Sequence, residues 1–323
     1  MKYVGMHKQQ VRNNAKSLLL LLLYPVIIFA LLYACICAFV YIMSDDSGQA
    51  DLWETTNCIA ADILPYAAGL LTLWFVVAFF ANTYFIRKAT GARPLERREN
   101  PRVYNIVENL TIACGMTMPK VNIVDTPELN AYASGINDKT YTVTLTKGII
   151  GTLDDEELAG VVGHELTHIR NRDTRLLIIG IVIVGGLSTL MLAFREGLRL
   201  QYWRPVSSRK DKDGNNASIM FVMLVMFILS AIAYFFAILT RLAISRKREF
   251  MADAGGAELC GNPLALASAL QKISSRPAFS DMSDKSTSQL FIYQPLNGKQ
   301  SFFENIFSTH PKIEDRIAYL QQF

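Results

Sequence analysis

Charge is missing from four long stretches of this 323-residue sequence. Residues 17–43, 63–86, 176–194 and 214–240 contain no Asp, Glu, Lys or Arg. A soluble core does not gather its apolar residues in this way, and a bilayer core takes about 20 helical residues. The shortest stretch rises roughly 28 Å at about 1.5 Å per residue, so it just spans. These runs exclude a soluble globular protein and imply an integral membrane protein. Residues 32–35, "LYAC", have the outline of a lipoprotein cleavage box, but Tyr33 is bulky where a small residue is needed. The first apolar run also far exceeds the about 7–15 residues of a signal peptide, which favours an uncleaved anchor. Cysteine is sparse, with five in the chain and no CxxC pair, so no disulfide framework is indicated. Cys35 and Cys37 fall inside the first apolar run and read as small packing residues. Acid and base nearly balance at a net +4, and basic clusters flanking the apolar runs account for the excess. No nucleic-acid partner is implied. Repeats and low-complexity tracts are absent.

The remaining charge is unevenly placed. Segment 1–16 has four basic residues and no acid, segment 44–62 has five acids and no base, and segment 87–102 has six bases. Basic segments stay in the cytoplasm, so the N-terminus is expected inside, 44–62 outside, and 87–175 inside. The third and fourth runs are joined by 195–213, with six bases and three acids, which suits export poorly. Whether that hairpin fully crosses is left open, but both of its ends lie on the cytoplasmic side.

The expected organisation is a two-helix membrane anchor with a short external loop over 1–86, the first part of a cytoplasmic domain over 87–175, a membrane hairpin over 176–240, and the second part of that domain over 241–323. The domain reads as α+β and mostly helical. Apolar positions recur at helical spacing over 101–116, whereas 120–126, 130–136 and 139–148 read as strands, with Val121, Ile123 and Val124 inward. Thr152 or Asp154 starts a further helix, with Glu157 at capping-box distance from Asp154. That helix is expected to run straight into the third apolar run.

Histidine is also rare, at four residues, yet two of them fall in "HELTH". Positions four apart share a helix face, so His164 and His168 can present their imidazoles to one ion. Glu165 is rotated by about 100° from His164 and can take a proton from water at the ion without ligating it. This is the HExxH arrangement of zinc peptidases. Chance would give about 0.002 such matches in a chain of this composition, so two helix histidines beside a solvated glutamate is the weaker reading. A catalytic zinc takes three protein ligands. A histidine at 174 would extend the motif, but Thr174 stands there, and Glu196 lies beyond the third apolar run. After the fourth run, "SRKREFMADAGG" offers Glu249 as third ligand and Asp253, one turn on, to orient a ligand histidine through its other ring nitrogen.

Together, "HELTHIRNRD", "SRKREFMADAGG", "NAYASG" and "STHPKIEDRI" resemble the HtpX-type membrane metalloproteases, relatives of the CAAX prenyl protease family. The resemblance covers roughly 87–323. It implies a zincin-like catalytic domain facing the cytoplasm, one zinc per chain on His164, His168 and Glu249, and a plasma-membrane (inner-membrane) protein. Prenyl-protease relatives have more spans than the four found here, so the quality-control branch fits better. Under this reading Asn130, Ala131 and Ala133 would receive an extended peptide along a sheet edge. His310 would stabilise an oxyanion, and Arg316 would pair within the site. His7 belongs to the basic tail and reads as solvated. The long segment 276–309, rich in aromatics, is expected to act as a lid. The leading expectation is a zinc endopeptidase that cuts misfolded or exposed segments of membrane proteins. The alternatives are a processing protease of narrow range and a non-catalytic zinc-containing membrane adaptor. Structural zinc sites usually have four ligands and often Cys. No cysteine lies near these ligands in sequence, which favours the enzyme. Oligomeric state is left open.

Overall fold

A computed structural model describes residues 6–43, 52–202, 220, 223–235, 238, 246–275 and 311–322. Its contacts divide the chain into two units. One comprises Met1–Ser17, Phe80–Ile178 and Arg241–Phe323, and the other Leu18–Phe79 and Ile179–Thr240.

The second unit is built from long apolar helices, α1 (Met6–Met43), α2 (Leu52–Thr90) and α6 (Asp173–Tyr202), whose ends continue into the first unit. Among the described residues, three segments are long and apolar enough to cross a membrane: Val11–Tyr41, Leu52–Val77 and Asp173–Leu200. A shorter apolar helix, α7 (Met223–Phe235), is the part of the fourth run that falls among the described residues. Tyr24, Ile179, Ile183 and Leu187 form a buried cluster with Leu71 and Phe75 packed on it. Tyr24 and Phe75 meet edge to face at 5.3 Å, a favoured aromatic geometry. Outward-facing Leu18, Leu22, Leu70 and Leu73 remain exposed, as side chains that face lipid must. Helix α2 starts at Leu52, so most of the acidic segment 44–62 is helical rather than a connecting loop.

The first unit folds around a four-stranded sheet of order β1-β2-β4-β3, with β1 (Arg93–Pro94), β2 (Lys120–Val124), β3 (Ala131–Ser134) and β4 (Thr142–Thr146). β2 runs parallel to β4, and β3 lies antiparallel to β4 at the edge. The Thr- and Val-rich strands do not alternate in burial, because Asn122, Thr142, Thr144 and Thr146 are buried too. The hydroxyls of Ser134, Thr142 and Thr146 are used internally: Ser134 Oγ meets Thr142 Oγ1 at 2.6 Å, and Thr146 Oγ1 donates to the Glu128 carbonyl at 2.6 Å. Tyr132, in the edge strand, reaches Thr90 at the end of α2 (2.6 Å).

Helix α3 (Pro101–Ala113) begins as its sequence dictates. Asn100 accepts from the Val103 N–H, and Pro101 occupies the first turn, where no donor is needed. After the short α4 (Lys147–Thr152), α5 (Asp155–Arg170) opens with a complete capping box. Asp154 accepts from the Glu157 N–H, and Glu157 accepts from the Asp154 N–H. Glu157 also binds Ser268 Oγ (2.7 Å) and Lys272 Nζ (2.6 Å) on α9 (Pro263–Ser274). Leu158, Val161, Val162, Leu166 and Ile169 bury one side of α5 in the core shared with α3, α9 and the sheet. Its other neighbours are α8 (Arg246–Cys260) and, through α8 and α9, the terminal α10 (Ile313–Leu320).

Glycine brings α5 and α8 into backbone contact. A Cβ on Gly163 would stand 3.0 Å from the Gly256 carbonyl, and one on Gly256 would stand 2.8 Å from the His164 nitrogen. α5 does not run straight into α6 as expected. It ends at Arg170, Arg172 takes a left-handed conformation (φ 60°), and α6 restarts at Asp173. The break turns the Asp173 side chain back toward α5, which an unbroken helix would have carried round to another face.

Candidate metal centre

α5 carries HELTH at the centre of the first unit. His164 and His168, one turn apart, bring their Nε2 atoms to 3.1 Å. Glu249, from the first turn of α8, places Oε2 3.8 Å from His164 Nε2 and Oε1 3.6 Å from His168 Nε2. One donor atom from each of the three residues lies within 4.8 Å of the others. A borderline-soft divalent ion favours such a set of two imidazoles and a carboxylate, and the set leaves a fourth position open.

The outer ring nitrogens are held by carboxylates. His164 Nδ1 meets Asp253 Oδ1 at 2.9 Å, and His168 Nδ1 meets Asp173 Oδ2 at 3.0 Å. A carboxylate accepts from Nδ1–H, which leaves the Nε2 lone pairs aimed at a common point, the tautomer a metal requires. This is the structural fit to a metal: the two Nε2 atoms converge and both rings are held from behind by carboxylates. Asp253 is itself clamped by Arg316 from α10 through two parallel contacts, Nε to Oδ2 at 2.8 Å and Nη2 to Oδ1 at 2.6 Å. Both residues are fully buried.

The charges respond to this packing. Burial pushes the Asp253 carboxyl up, but Arg316 and His164 outweigh it and hold the pKa below the ordinary value. Burial lowers His164 more than Asp253 raises it. For His168, burial also acts downward, yet Asp173 and the charges of Glu249 and Glu165 carry the group up to about 9. Glu165, nearly inaccessible, is raised to about 7, chiefly by burial. It accepts a hydrogen bond from the backbone N–H of Ala133 in the edge strand.

The strand beside Glu165 has a defined register. The Thr146 N–H donates to the Asn130 carbonyl, so Ala131 and Ala133 point their amides away from β4. Asn130 Oδ1 accepts from the Ala131 N–H (2.9 Å), and Glu165 takes the Ala133 N–H. Asn130 therefore shapes the edge of β3 through its own neighbour. His310 and the segment 276–309 lie outside the described residues. Asp173 and Arg248 are among the groups at the centre that escaped the sequence reading. Asp173 gave no signal because its approach depends on the chain reversal at Arg172, and Arg248, whose Nη1 is 3.5 Å from Asp173 Oδ1, is one of many bases in its segment.

The family model for peptidase family M48 matches residues 97–323. A protease HtpX homolog of Bacteroides fragilis is 52% identical over 329 residues, covering 100% of both chains. A protease HtpX homolog of Dictyoglomus thermophilum is 39% identical over 254 residues, covering 76% of this chain and 80% of its own. The crystal structure of S. mikatae Ste24p superposes with a TM-score of 0.48 at 19% identity, covering 97% of this chain and 66% of that one, just under two thirds of its length.

Proposed function

The chain belongs to peptidase family M48, and from that membership we propose that it is a zinc-dependent endopeptidase of the plasma membrane. Its catalytic unit faces the cytoplasm, and it cleaves misfolded or exposed segments of membrane proteins. The observation that carries the chemistry is the convergence of His164 Nε2, His168 Nε2 and Glu249 within 4.8 Å. One zinc ion per chain held there supplies Lewis-acid polarisation of a carbonyl and lowers the pKa of water. Asp253 and Asp173 hold the two imidazoles in the ligating orientation. Glu165, buried beside the ligand set and held by the Ala133 N–H, is placed for both halves of a proton transfer, accepting from the attacking water and returning the proton to the leaving amine.

Substrate alignment follows from the sheet edge. The carbonyls of Ala131 and Ala133 point away from β4 and accept N–H groups from an extended chain. Such contacts read backbone rather than side chain, which supports tolerance of many sequences and hence a quality-control role. The cytoplasmic orientation is supported by the basic segments 1–16 and 87–102 around the acidic segment 44–62. The relatives are protease HtpX homologs, which supports the peptidase part of this reading.

The test is metal content and casein cleavage by the full chain in detergent, compared with Glu165→Gln. The variant should retain zinc and lose hydrolysis, because the base is removed and the ligands remain. A metal-loaded Glu165→Gln protein with full turnover would refute the assignment, as would a wild type that binds no zinc.

A further inference from the structure

Near its start, α1 buries a full amide against the metal centre. Asn13 is 0% exposed. Its Nδ2 donates to Asp173 Oδ1 at 2.7 Å and to the Asn171 carbonyl at 2.9 Å. The other Asp173 oxygen, Oδ2, stands 3.0 Å from His168 Nδ1. A hydrogen-bonded line thus runs from the first helix of the chain, through one carboxylate, to an imidazole of the ligand set. All of these residues belong to the same unit.

We propose that Asn13 is a positioning residue for His168, so that the inner end of α1 is part of the metal centre as well as an anchor. The inference rests on the metal-centre reading above. Three observations carry it. First, a buried amide is unfavourable unless its donors are used, and here both N–H groups face acceptors. Leucine would fill the same space without that demand, so the amide is there for the acceptors. Second, the chemistry matches the task. Two acceptors, a carbonyl and a carboxylate, face the position, so a neutral double donor fits where a serine would satisfy one and an aspartate would repel both. Neutrality also leaves the Asp173 charge directed at His168. Third, Arg248, a cation near Asp173, makes the longer contact with its carboxylate. Arg248 Nη1 stands 3.5 Å from the carboxylate, at the limit of a hydrogen bond, while the Asn13 contact is 2.7 Å. Asp173 sits at the beginning of α6, just after a left-handed residue. Its rotation is fixed by what lies across from it, and Asn13 makes the 2.7 Å contact to the oxygen that His168 does not take.

The test uses the full chain in detergent. Zinc affinity is measured by competition with a chelating dye, and ligand geometry by the visible absorption of the cobalt-substituted protein. Asn13→Leu should weaken zinc binding about 10–100-fold, the usual effect of removing a group that orients a ligand, and should shift the cobalt bands. Asn13→Asp should do more, by setting two carboxylates together. Asn13→Asp combined with Asp173→Asn restores a donor between the two positions and should recover part of the loss seen in Asn13→Asp. If Asn13→Leu does not fold, the comparison of Asn13→Asp with the double variant decides. Wild-type zinc affinity and an unchanged cobalt spectrum in Asn13→Leu would overturn the inference, as would a double variant no better than Asn13→Asp. A wild type that binds no zinc would instead overturn the metal-centre reading itself, so the two failures are separable.

Discussion

Gly256→Ala is a small change with a large expected effect on the ligand set. The added Cβ would stand 2.8 Å from the His164 nitrogen and 3.0 Å from its Cα. Both atoms are backbone, so no side chain can swing aside. Carbon atoms pack at about 3.5–4.0 Å, so α5 and α8 must part by roughly 0.5–1 Å at this point. Glu249 lies on α8 and both histidines on α5, so the separation opens the ligand triangle directly. Metal–ligand distances hold to within about 0.2 Å, a fraction of that displacement. Overpacking of this kind costs about 1–3 kcal/mol. Carried into metal binding, at about 1.4 kcal/mol per tenfold, that is roughly 5–150-fold in affinity. The assay is a zinc competition titration beside a thermal melt of the metal-free protein. Gly151→Ala is the control, since a Cβ there meets nothing within 4 Å. It should leave zinc affinity unchanged and stabilise by about 0.4–1 kcal/mol. A Gly256→Ala protein that binds zinc as tightly as wild type and melts at the same temperature would show that the helices do not meet as described.

Arg316→Met leaves the Asp253 charge buried without its cation, and should destabilise the chain by about 3–5 kcal/mol, read from a denaturant melt. Adding Asp253→Asn to it should recover part of that, and a single variant as stable as wild type would contradict the buried pair. Glu157 is held below the ordinary carboxylate value, because Lys272, Ser268 and the Asp154 N–H together outweigh the effect of burial. A carboxyl with a depressed folded pKa contributes stability above its unfolded value and loses it as pH falls through the folded one. Glu157→Gln should therefore lower stability at neutral pH by about 1–3 kcal/mol and flatten the acid limb of a stability–pH curve, and an acid limb parallel to that of wild type would exclude this role. A cysteine introduced within 44–51, ahead of the candidate span, should react with an impermeant maleimide on intact cells and Cys114 only after lysis, and the opposite pattern would reverse the orientation.

Much of the architecture was legible because it rests on local periodicity. The i,i+4 spacing of His164 and His168, the Asp154–Glu157 box and the β-branched runs around Val121 and Val143 each carry their structure in a few neighbouring residues. Glu249 and Asp253 could be read because four residues also separate them. The burial of the sheet's polar residues was not legible. Asn122 and Thr144 alternate as a solvent-facing row would, and only tertiary cover distinguishes the two. Asp173 and Asn13 were hidden for a related reason. They lie 160 positions apart, neither belongs to a periodic pattern with the other, and the left-handed turn at Arg172 that joins them is a conformation arginine does not advertise.

The Arg316 clamp also has a consequence in time. Its partners are made well before it, with His164 152 positions earlier and Asp253 63 positions earlier. At translation speeds of about 5–20 residues per second, roughly 8–30 s pass between synthesis of the HELTH helix and arrival of the guanidinium. Asp253 is itself made during that interval, and for the last 63 positions, about 3–13 s, it has no Arg316 guanidinium to hold it against His164. An emerging or prematurely terminated chain therefore lacks the clamp on Asp253, and the support behind His164 is completed only when α10 has been made.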